Sequence, residues 1–173
     1  MAATSSLFVC RADYANPEHA QALVSLLDAY AQDPMGGGEP LSAFAKEHLV
    51  SALAVRPQAF SVLAFSVTQE MGDRVEVPVG LVNCIEGFST FACQPLVNVH
   101  DVAVLPTFRG QRVAEKMLLL VEEIARERGA CKLTLEVLQG NAGAIKLYHR
   151  VGFANYQLDP AMGQAQFLQK WLR

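Results

Sequence analysis

Residues 99–114 of the chain read VHDVAVLPTFRGQRVA, and this stretch decides how the fold is assigned. It begins with a β-branched, apolar run that is typical of a strand, and Pro106 stops that strand. After a short turn, an amphipathic helix begins near Val113. A tight turn into a helix N-terminus presents several unpaired backbone N–H groups to one point in space. The stretch therefore indicates an anion site, although an ordinary strand-to-helix turn has the same pattern.

Two familiar nucleotide-binding loops are excluded at this turn. The chain contains no G-x-x-x-x-G-K-[ST] sequence. The residues from Arg109 to Ala114 also lack the glycines of the G-x-G-x-x-G pattern that opens a dinucleotide-binding fold. Neither type of nucleotide fold is therefore expected.

The residues that follow this turn extend the pattern toward the C-terminus. The helix that starts at Val113 carries one apolar stripe and ends at Gly129, a residue type that accepts the left-handed closing conformation. A further helix is capped by Asn141 and closed by Gly152. The strands predicted in this part of the chain are Cys131–Val137, Phe153–Leu158 and Ala165–Leu172.

The residues that precede the turn predict a strand, two helices and a meander of three strands. Asn16 and Pro17 have the chemistry of a helix start, and the glycine- and proline-rich loop 33–40 can adapt to a ligand. The predicted elements are Leu7–Arg11, a helix from Pro17 to near Gln32, a helix at Ser42–Val55, and strands at Ala59–Thr68, Val75–Phe88 and Leu96–Leu105. The order β, α, α, β, β, β, α, β, α, β, β requires an α/β fold with a mixed sheet.

Composition limits the possible partners. The length of 173 residues suits one domain, which we expect to span residues 1–173. The net charge is −3 and no long basic run is present, so nucleic acid is not expected as a partner. No apolar run approaches the roughly 18 residues of a membrane span, and the N-terminus does not read as a signal peptide. The 4 cysteines and 4 histidines lack metal-ligand spacing, so we expect a cytoplasmic protein with reduced thiols and no metal.

Two segments carry a resemblance to a known family. They read VAVLPTFRGQRVA at residues 102–114 and LEVLQGNAGAIKLYHRVGF at residues 135–153. They resemble the two core motifs of GNAT N-acetyltransferases, the pyrophosphate loop [QR]-x-x-G-x-[GA] and the strand followed by an Asn-capped helix with Tyr and Gly-Phe. The resemblance implies the GNAT fold, a single mixed sheet of about seven strands with helices on both faces, splayed between the fourth and fifth strands. It also implies acetyl-CoA as co-substrate and no metal.

The resemblance assigns cofactor contacts to these motifs. In the family, strand backbone groups pair with the pantetheine arm, N–H groups of the loop hold the pyrophosphate, and the second motif flanks the cofactor. The implied cofactor-binding residues are Val102, Ala103, Val104, Arg109, Gly110, Gln111, Arg112, Val113, Ala114, Asn141 and Ala144. Arg112 departs from the family pattern, because it stands where the loop usually has its central glycine. Its guanidinium could instead reach a phosphate directly.

The resemblance also implies catalytic roles. Tyr148 matches the usual general acid, a phenol that gives its proton to the departing CoA thiolate, although a Tyr packed on a helix stripe has the same spacing. His100 is our candidate base, and a glutamate occupies its position in the spermidine/spermine acetyltransferases, which residues 88–104 resemble. Asp101 beside it can be structural. Glu86 is the alternative base, or an anchor for a cationic substrate.

The placement of His100 depends on strand alternation. Alternation puts one set of side chains on a common face if no bulge intervenes, and that set is Asn98, His100, Val102 and Val104. A hydrogen-bonded strand histidine without a catalytic role fits the same pattern.

The expected acceptor is a small-molecule primary amine. The resemblance to polyamine acetyltransferases favours a diamine or lysine-like molecule, and loop 33–40 is the predicted lip that sets specificity. A homodimer is a further partnership that the family implies. Two alternatives remain open from the residues: a non-catalytic acyl-CoA-binding or regulatory module, and a protein N-acetyltransferase that acts on peptide amines.

Overall fold

The computed structural model of the chain describes residues 5–70, 73–156, 159, 161, 163 and 165–172. It divides into two compact units, Met1–Leu135 and Glu136–Arg173, which are described separately. The expectation of one domain over residues 1–173 stays a prediction.

The first unit is built on a mixed sheet of five strands in the order β1-β2-β3-β4-β5. Neighbouring strands from β1 to β4 run antiparallel, and β4 and β5 run parallel. The strands are β1 (Ser6–Arg11), β2 (Ala59–Glu70), β3 (Asp73–Ser89), β4 (Gln94–Val104) and β5 (Leu133–Leu135). The predicted α/β class with a mixed sheet is confirmed.

The helices of the first unit begin and end close to the predicted residues. They are α1 (Pro17–Ala31), α2 (Ala43–Ala54) and α3 (Val113–Glu127). The side-chain oxygen of Asn16 accepts a hydrogen bond from Glu18 N–H at 2.9 Å, and Ser42 Oγ accepts one from Ala45 N–H at 3.1 Å. Both caps satisfy N–H groups that have no partner within their helix, which explains why these helices begin where they do.

Helices cover both faces of this sheet, as predicted. Leu23 and Leu26 of α1 pack in one core cluster with Leu81 of β3. A Cβ added to the neighbouring residue, Gly80, would lie only 2.8 Å from Met117 Cε of α3. Because adjacent strand residues point to opposite faces, α1 and α3 lie on opposite sides of the sheet.

The second unit contains one helix of nine residues within the described part of the chain, α4 (Ala142–Arg150). Its N-terminus is capped by Asn141, whose Oδ1 accepts a hydrogen bond from Ala144 N–H at 3.1 Å. The helix ends ahead of Gly152, which has a φ of 97°. Both boundaries were predicted from the Asn cap and the closing glycine.

Three predicted strands differ from the structure. Only Leu133–Leu135 of the predicted strand Cys131–Val137 is extended in a ladder. The described parts of Phe153–Leu158 and Ala165–Leu172 contain no strand, and residues 157–158 lie outside the described residues. The described sheet therefore has five strands rather than about seven. A β-branched or aromatic pattern becomes a strand only where a neighbouring strand and a buried face exist, whereas Trp171 is 83% exposed.

No helix in the described part of the chain combines the length and the apolar composition that crossing a membrane requires.

Candidate functional site

A β-bulge in β4 interrupts the alternation of its side chains. The register pairs Cys84 with Val99 and Asn83 with Asp101, which leaves His100 as the extra residue on β4. The prediction that His100 shares a face with Val102 and Val104 through strict alternation is therefore wrong. The extra residue shifts every following side chain to the other face, as a one-residue register change must.

Within the described residues, no strand pairs with the C-terminal half of β4 on its β5 side, and we call this side the free edge of β4. Its pairing with β5 ends at Val99 and Leu135, where the resemblance predicts that the two strands part. Leu105 N–H donates to the carbonyl of Val79 on the other side, at 2.9 Å. Because backbone groups alternate along a strand, the N–H and C=O groups of Val102 and Val104 point away from β3, toward this edge.

The turn that follows β4 presents backbone N–H groups at the start of α3. The first hydrogen bond of the helix runs from Lys116 N–H to the carbonyl of Arg112. The N–H groups of Val113 and Ala114 precede it and have no partner within the helix. Gly110 has a φ of +78°, and apart from its two chain neighbours none of the described residues has an atom within 4 Å of the position that a Cβ would occupy there. The turn is therefore open to an anionic group at the positive end of the helix dipole.

Arg112 takes the backbone conformation that the family's central glycine would suit. Its φ is 60° and its ψ is 21°, in the left-handed region that strains a residue with a Cβ. Its side chain is 73% exposed and lies 3.8 Å from the carboxylate of Glu115. The loop thus keeps its shape at the cost of backbone strain at this position.

An ion pair joins this turn to the loop between α1 and α2. Arg109 Nη2 lies 2.7 Å from Asp33 Oδ2, and Arg109 Nε donates to the carbonyl of Val104 at 3.1 Å. The Arg109 hydrogen bond, followed by a backbone bond from Met35, holds the pKa of Asp33 below its usual value. Sequence reasoning assigned Arg109 to the cofactor and missed its pairing with Asp33.

A cleft of about 210 Å³ lies between the end of α1 and the end of β4. It is lined by Leu26, Ala29, Tyr30, Gln32, Asp33, Ala103, Val104, Leu105, Pro106 and Arg109. Burial raises the pKa of the Tyr30 phenol, and the negative charges of Asp101 and Asp33 raise it further. The cleft therefore has an apolar lining, with the Asp33–Arg109 ion pair at its edge and the carboxylate of Asp101 close to Tyr30.

A row of polar side chains crosses the sheet next to this cleft. Tyr14 Oη lies 2.9 Å from Ser61 Oγ, and Ser61 Oγ donates to Asn83 Oδ1 at 2.6 Å. Asn83 Nδ2 then donates to Asp101 Oδ2 at 3.0 Å. From the sequence, Asp101 was named only as a possible structural residue. The other members of the row come from segments far apart in the chain, so the row itself was not predicted.

The structure brings neither candidate base into the cleft. His100 is exposed, and its Nδ1 lies 3.4 Å from Asn98 Oδ1. Glu86 forms an ion pair with Arg128, with Oε2 and Nη1 3.0 Å apart. Glu86 pairs with Val97 in the ladder, seven residues before Val104 and roughly 20 Å from it along the strand. Glu86 therefore has a structural partner away from the cleft.

The remaining predicted residues lie on α4 in the second unit. Asn141, Ala144 and Tyr148 are spaced by three and four positions, so they share one face of the helix. The ring of Tyr148 packs edge-on against Phe153, with centroids 5.9 Å apart. The roles of these three residues stay predictions.

Within the described residues, no group of three or more His, Cys, Asp and Glu side chains is arranged to hold a metal ion.

Known proteins resemble this chain over part of its length. It is 35% identical over 99 residues to the streptothricin acetyltransferase of Streptomyces lavendulae, a match that covers 56% of this chain and 52% of that protein. It is 36% identical over 56 residues to the thialysine N-epsilon-acetyltransferase of Bos taurus, covering 32% of this chain and 33% of that protein. The chain thus spans about half, or less, of the length of these relatives.

A solved structure and a family description agree on the fold. The aminoglycoside N-acetyltransferase AAC(6')-Iy in complex with CoA superposes with a TM-score of 0.69 at 15% identity, over 98% of both chains. This similarity shows a shared fold. The sequence matches the family described as "Acetyltransferase (GNAT) family" over residues 23–153, which is more than half of the chain. On that match, and with the loop and the free strand edge in place, the chain belongs to the GNAT acetyltransferase family.

Proposed function

We propose that this protein is an N-acetyltransferase that transfers the acetyl group of acetyl-CoA to a primary amine of a small molecule. One observation carries the proposal. The open turn at Gly110, with the N–H groups of Val113 and Ala114, lies directly after the free edge of β4 in a member of the acetyltransferase family. A diphosphate binds to backbone N–H groups such as those of the turn, and an extended amide chain pairs with the edge of a strand. A ligand that contains both needs the turn and the strand edge side by side.

The donor set of this site fits CoA. The turn offers N–H groups at a helix N-terminus, which suit the diphosphate. The guanidinium of Arg112 is exposed at the same turn and could add a contact to a phosphate oxygen. The backbone groups of Val102 and Val104 would pair with the amides of the pantetheine arm. Asn141 and Ala144 would flank the cofactor, and acetyl-CoA would supply the acetyl group as a thioester.

The proposed reaction is a direct attack in a ternary complex. The neutral amine nitrogen attacks the thioester carbonyl carbon, so that a C–N bond forms as the C–S bond breaks. Tyr148 donates its phenolic proton to the departing thiolate, as its match to the family's general acid implies. The proton that leaves the amine passes to a base, for which His100 acting through a water is the candidate.

The proposed acceptor is a diamine or a lysine-like molecule. The names of two relatives, streptothricin acetyltransferase and thialysine N-epsilon-acetyltransferase, specify acceptors of limited size. In this chain, the apolar floor of the cleft suits the carbon stem of such a molecule. The nearby carboxylate of Asp101 suits its ammonium group, whereas Asp33 is paired with Arg109.

The test is turnover of acetyl-CoA with a panel of amines. The panel contains spermidine, a diaminoalkane, L-lysine, an aminoglycoside and a short peptide, and CoA release is followed by mass spectrometry. We expect release with at least one small amine and a loss of about 10²- to 10⁴-fold in kcat for Tyr148→Phe, with unchanged CoA affinity. Phe153→Leu is the matched control, because it changes the ring partner of Tyr148 and leaves the phenol in place.

The same panel separates the alternatives. Tight CoA binding without turnover on any amine would support a non-catalytic module. Turnover on the peptide alone would support a protein N-acetyltransferase. The absence of CoA binding by calorimetry would overturn the proposal.

A further inference from the structure

A polar row and an apolar row lie side by side on the α1 face of the sheet. Ser61 pairs with Asn83, and Asn83 pairs with Asp101, across β2, β3 and β4. The adjacent row on the same face is apolar and belongs to the core beneath α1, with members Leu63, Leu81 and Ala103. The polar row therefore interrupts a core face, and such an interruption costs stability unless every polar group is satisfied.

The hydrogen bonds between the side chains of the row are all donated in the same direction, toward Asp101. Ser61 is 1% exposed and Asn83 is 6% exposed. Ser61 uses its single proton on Asn83 Oδ1, so Tyr14 must be the donor in its contact with Ser61. Burial, as the main cause, raises the pKa of Tyr14, which keeps that proton in place at neutral pH. Each donor thus points along the row toward Asp101, where the N–H of the Asn83 amide meets the carboxylate.

The row ends where the structure becomes accessible. Asp101 is half-buried, and within the described residues only its Oδ2 receives a hydrogen bond. The other oxygen is left to accept from a ligand. Asp101 lies two positions after Val99, the last residue of β4 that pairs with β5. It also shares a face with Ala103, which lines the cleft.

We propose that Asp101 binds the ammonium group of the acceptor amine and that Asn83, backed by Ser61 and Tyr14, is the positioning residue that orients its carboxylate. This inference rests on the proposed function and names an acceptor subsite beside the same cleft, two positions along β4 from the lining residue Ala103. The β4 bulge makes the arrangement possible, because the extra residue His100 brings Asp101 to the α1 face opposite Asn83. The class of acceptor is then a molecule with a cationic amine beside an apolar stem.

The decisive variant is Asp101→Asn. It keeps the size of the side chain and an oxygen that accepts from Asn83, and it replaces the charge and the second acceptor oxygen with a neutral NH2 group. We expect KM for spermidine or L-lysine to rise at least tenfold, while the affinity for CoA, measured by calorimetry, stays the same. Glu76→Gln is the matched control, a carboxylate on the neighbouring strand whose partner is Arg74, and its amine KM should not change.

The positioning role of Asn83 is tested by a double-mutant cycle. If Asn83 acts through Asp101, Asn83→Ala should raise the amine KM in the wild type and have little further effect in Asp101→Asn. A purely structural role would lower the melting temperature equally in both backgrounds without this dependence. If Asn83→Ala does not fold, Asp101→Asn alone still decides the role of Asp101.

The outcomes separate this inference from the proposed function. Wild-type turnover with an unchanged amine KM in Asp101→Asn would overturn the inference and leave the acetyltransferase intact. An amine KM that is unchanged in Asp101→Asn and raised in His100→Gln would also overturn the inference, and it would place the ammonium group near His100 instead. A wild type that binds CoA but neither acetylates nor binds any amine of the panel would overturn both.

Discussion

Arg109 Nη2 lies 2.7 Å from Asp33 Oδ2, although 76 positions separate the two residues in the chain. The same guanidinium donates through Nε to the carbonyl of Val104. Arg109 therefore ties the loop after α1 to the end of β4, and the cleft lies between these two elements. Loop 33–40 and the turn that follows β4 are therefore linked through one side chain.

Removing the charge of Asp33 should loosen this link. Asp33→Asn keeps the size of the side chain, and we expect a loss of about 1 kcal/mol or less in the free energy of unfolding, because Arg109 is half-exposed. Loop 33–40 should become more sensitive to limited proteolysis. Glu39→Gln, at an exposed position in the same loop, is the control. Equal proteolysis of both variants would contradict the proposed link.

The carboxylate of Asp28 should make stability depend on pH. Its Oδ2 lies 2.8 Å from Lys46 Nζ, and its Oδ1 accepts from Leu41 N–H at 2.8 Å. The Lys46 hydrogen bond is the largest cause that holds the pKa of Asp28 below its usual value of about 3.9. Asp28 therefore stabilises the folded protein at pH values above the usual pKa of the carboxyl group. This stabilisation is lost as the pH falls through the lowered pKa of the folded state.

The measurement is the melting temperature of wild type and Asp28→Asn from pH 7 to pH 2. The difference between the two proteins should be largest at and above about pH 5 and should shrink as the pH falls below about 4. A difference that stays constant over this range would show that the charge of Asp28 is not what stabilises the contact.

Arg112→Gly should stabilise the protein. The left-handed backbone at φ 60° costs a residue with a Cβ about 1 kcal/mol, and glycine avoids this cost. The greater conformational freedom of glycine in the unfolded chain offsets part of that gain. We therefore expect a gain of up to about 1 kcal/mol in denaturant unfolding. Gln111→Gly, whose φ is not positive, is the control and should destabilise.

The same position tests a contact with CoA. If the guanidinium of Arg112 reaches a phosphate, Arg112→Ala should bind CoA more weakly by calorimetry. Tighter binding by Arg112→Gly would show instead that close approach of the backbone matters more than the side chain.

The four cysteines should separate by their reactivity toward a thiol reagent. Burial raises the pKa of Cys84 to about 12, so its thiolate is scarce at neutral pH. Cys93 and Cys131 are exposed. Two thiols should therefore react quickly in the native protein, and Cys84 should react only on unfolding. Cys93→Ser combined with Cys131→Ser should remove the fast phase. A fast phase that persists in this variant and disappears only with a further Cys84→Ser substitution would contradict the burial of Cys84.

Local chemistry was sufficient to predict most of the first unit. Asn16, Ser42 and Gly129 lie at helix ends in the structure as expected, because caps depend on neighbours within one turn. The described parts of the two strands predicted after α4 are not strands, for the opposite reason. Their apolar pattern needs a partner strand, and nothing within the segment indicates whether one is present.

The candidate site divides in the same way. The turn from Gly110 to Ala114 follows from consecutive residues, so the sequence alone was enough to locate it. The bulge at His100 was not predictable, because it is a mismatch of register between β3 and β4 and has no signature in either strand. It overturned the expected face of His100 and brought Asp101 into contact with Asn83.

The sequence by itself determined the family, the element order up to α4 and the position of the turn before α3, since each depends on residues adjacent in the chain. Only the tertiary structure decided that Arg109 pairs with Asp33, that Glu86 pairs with Arg128, and that Ser61, Asn83 and Asp101 form one row. These contacts join residues far apart in sequence, and their energies depend on strand register and burial, which no local pattern encodes.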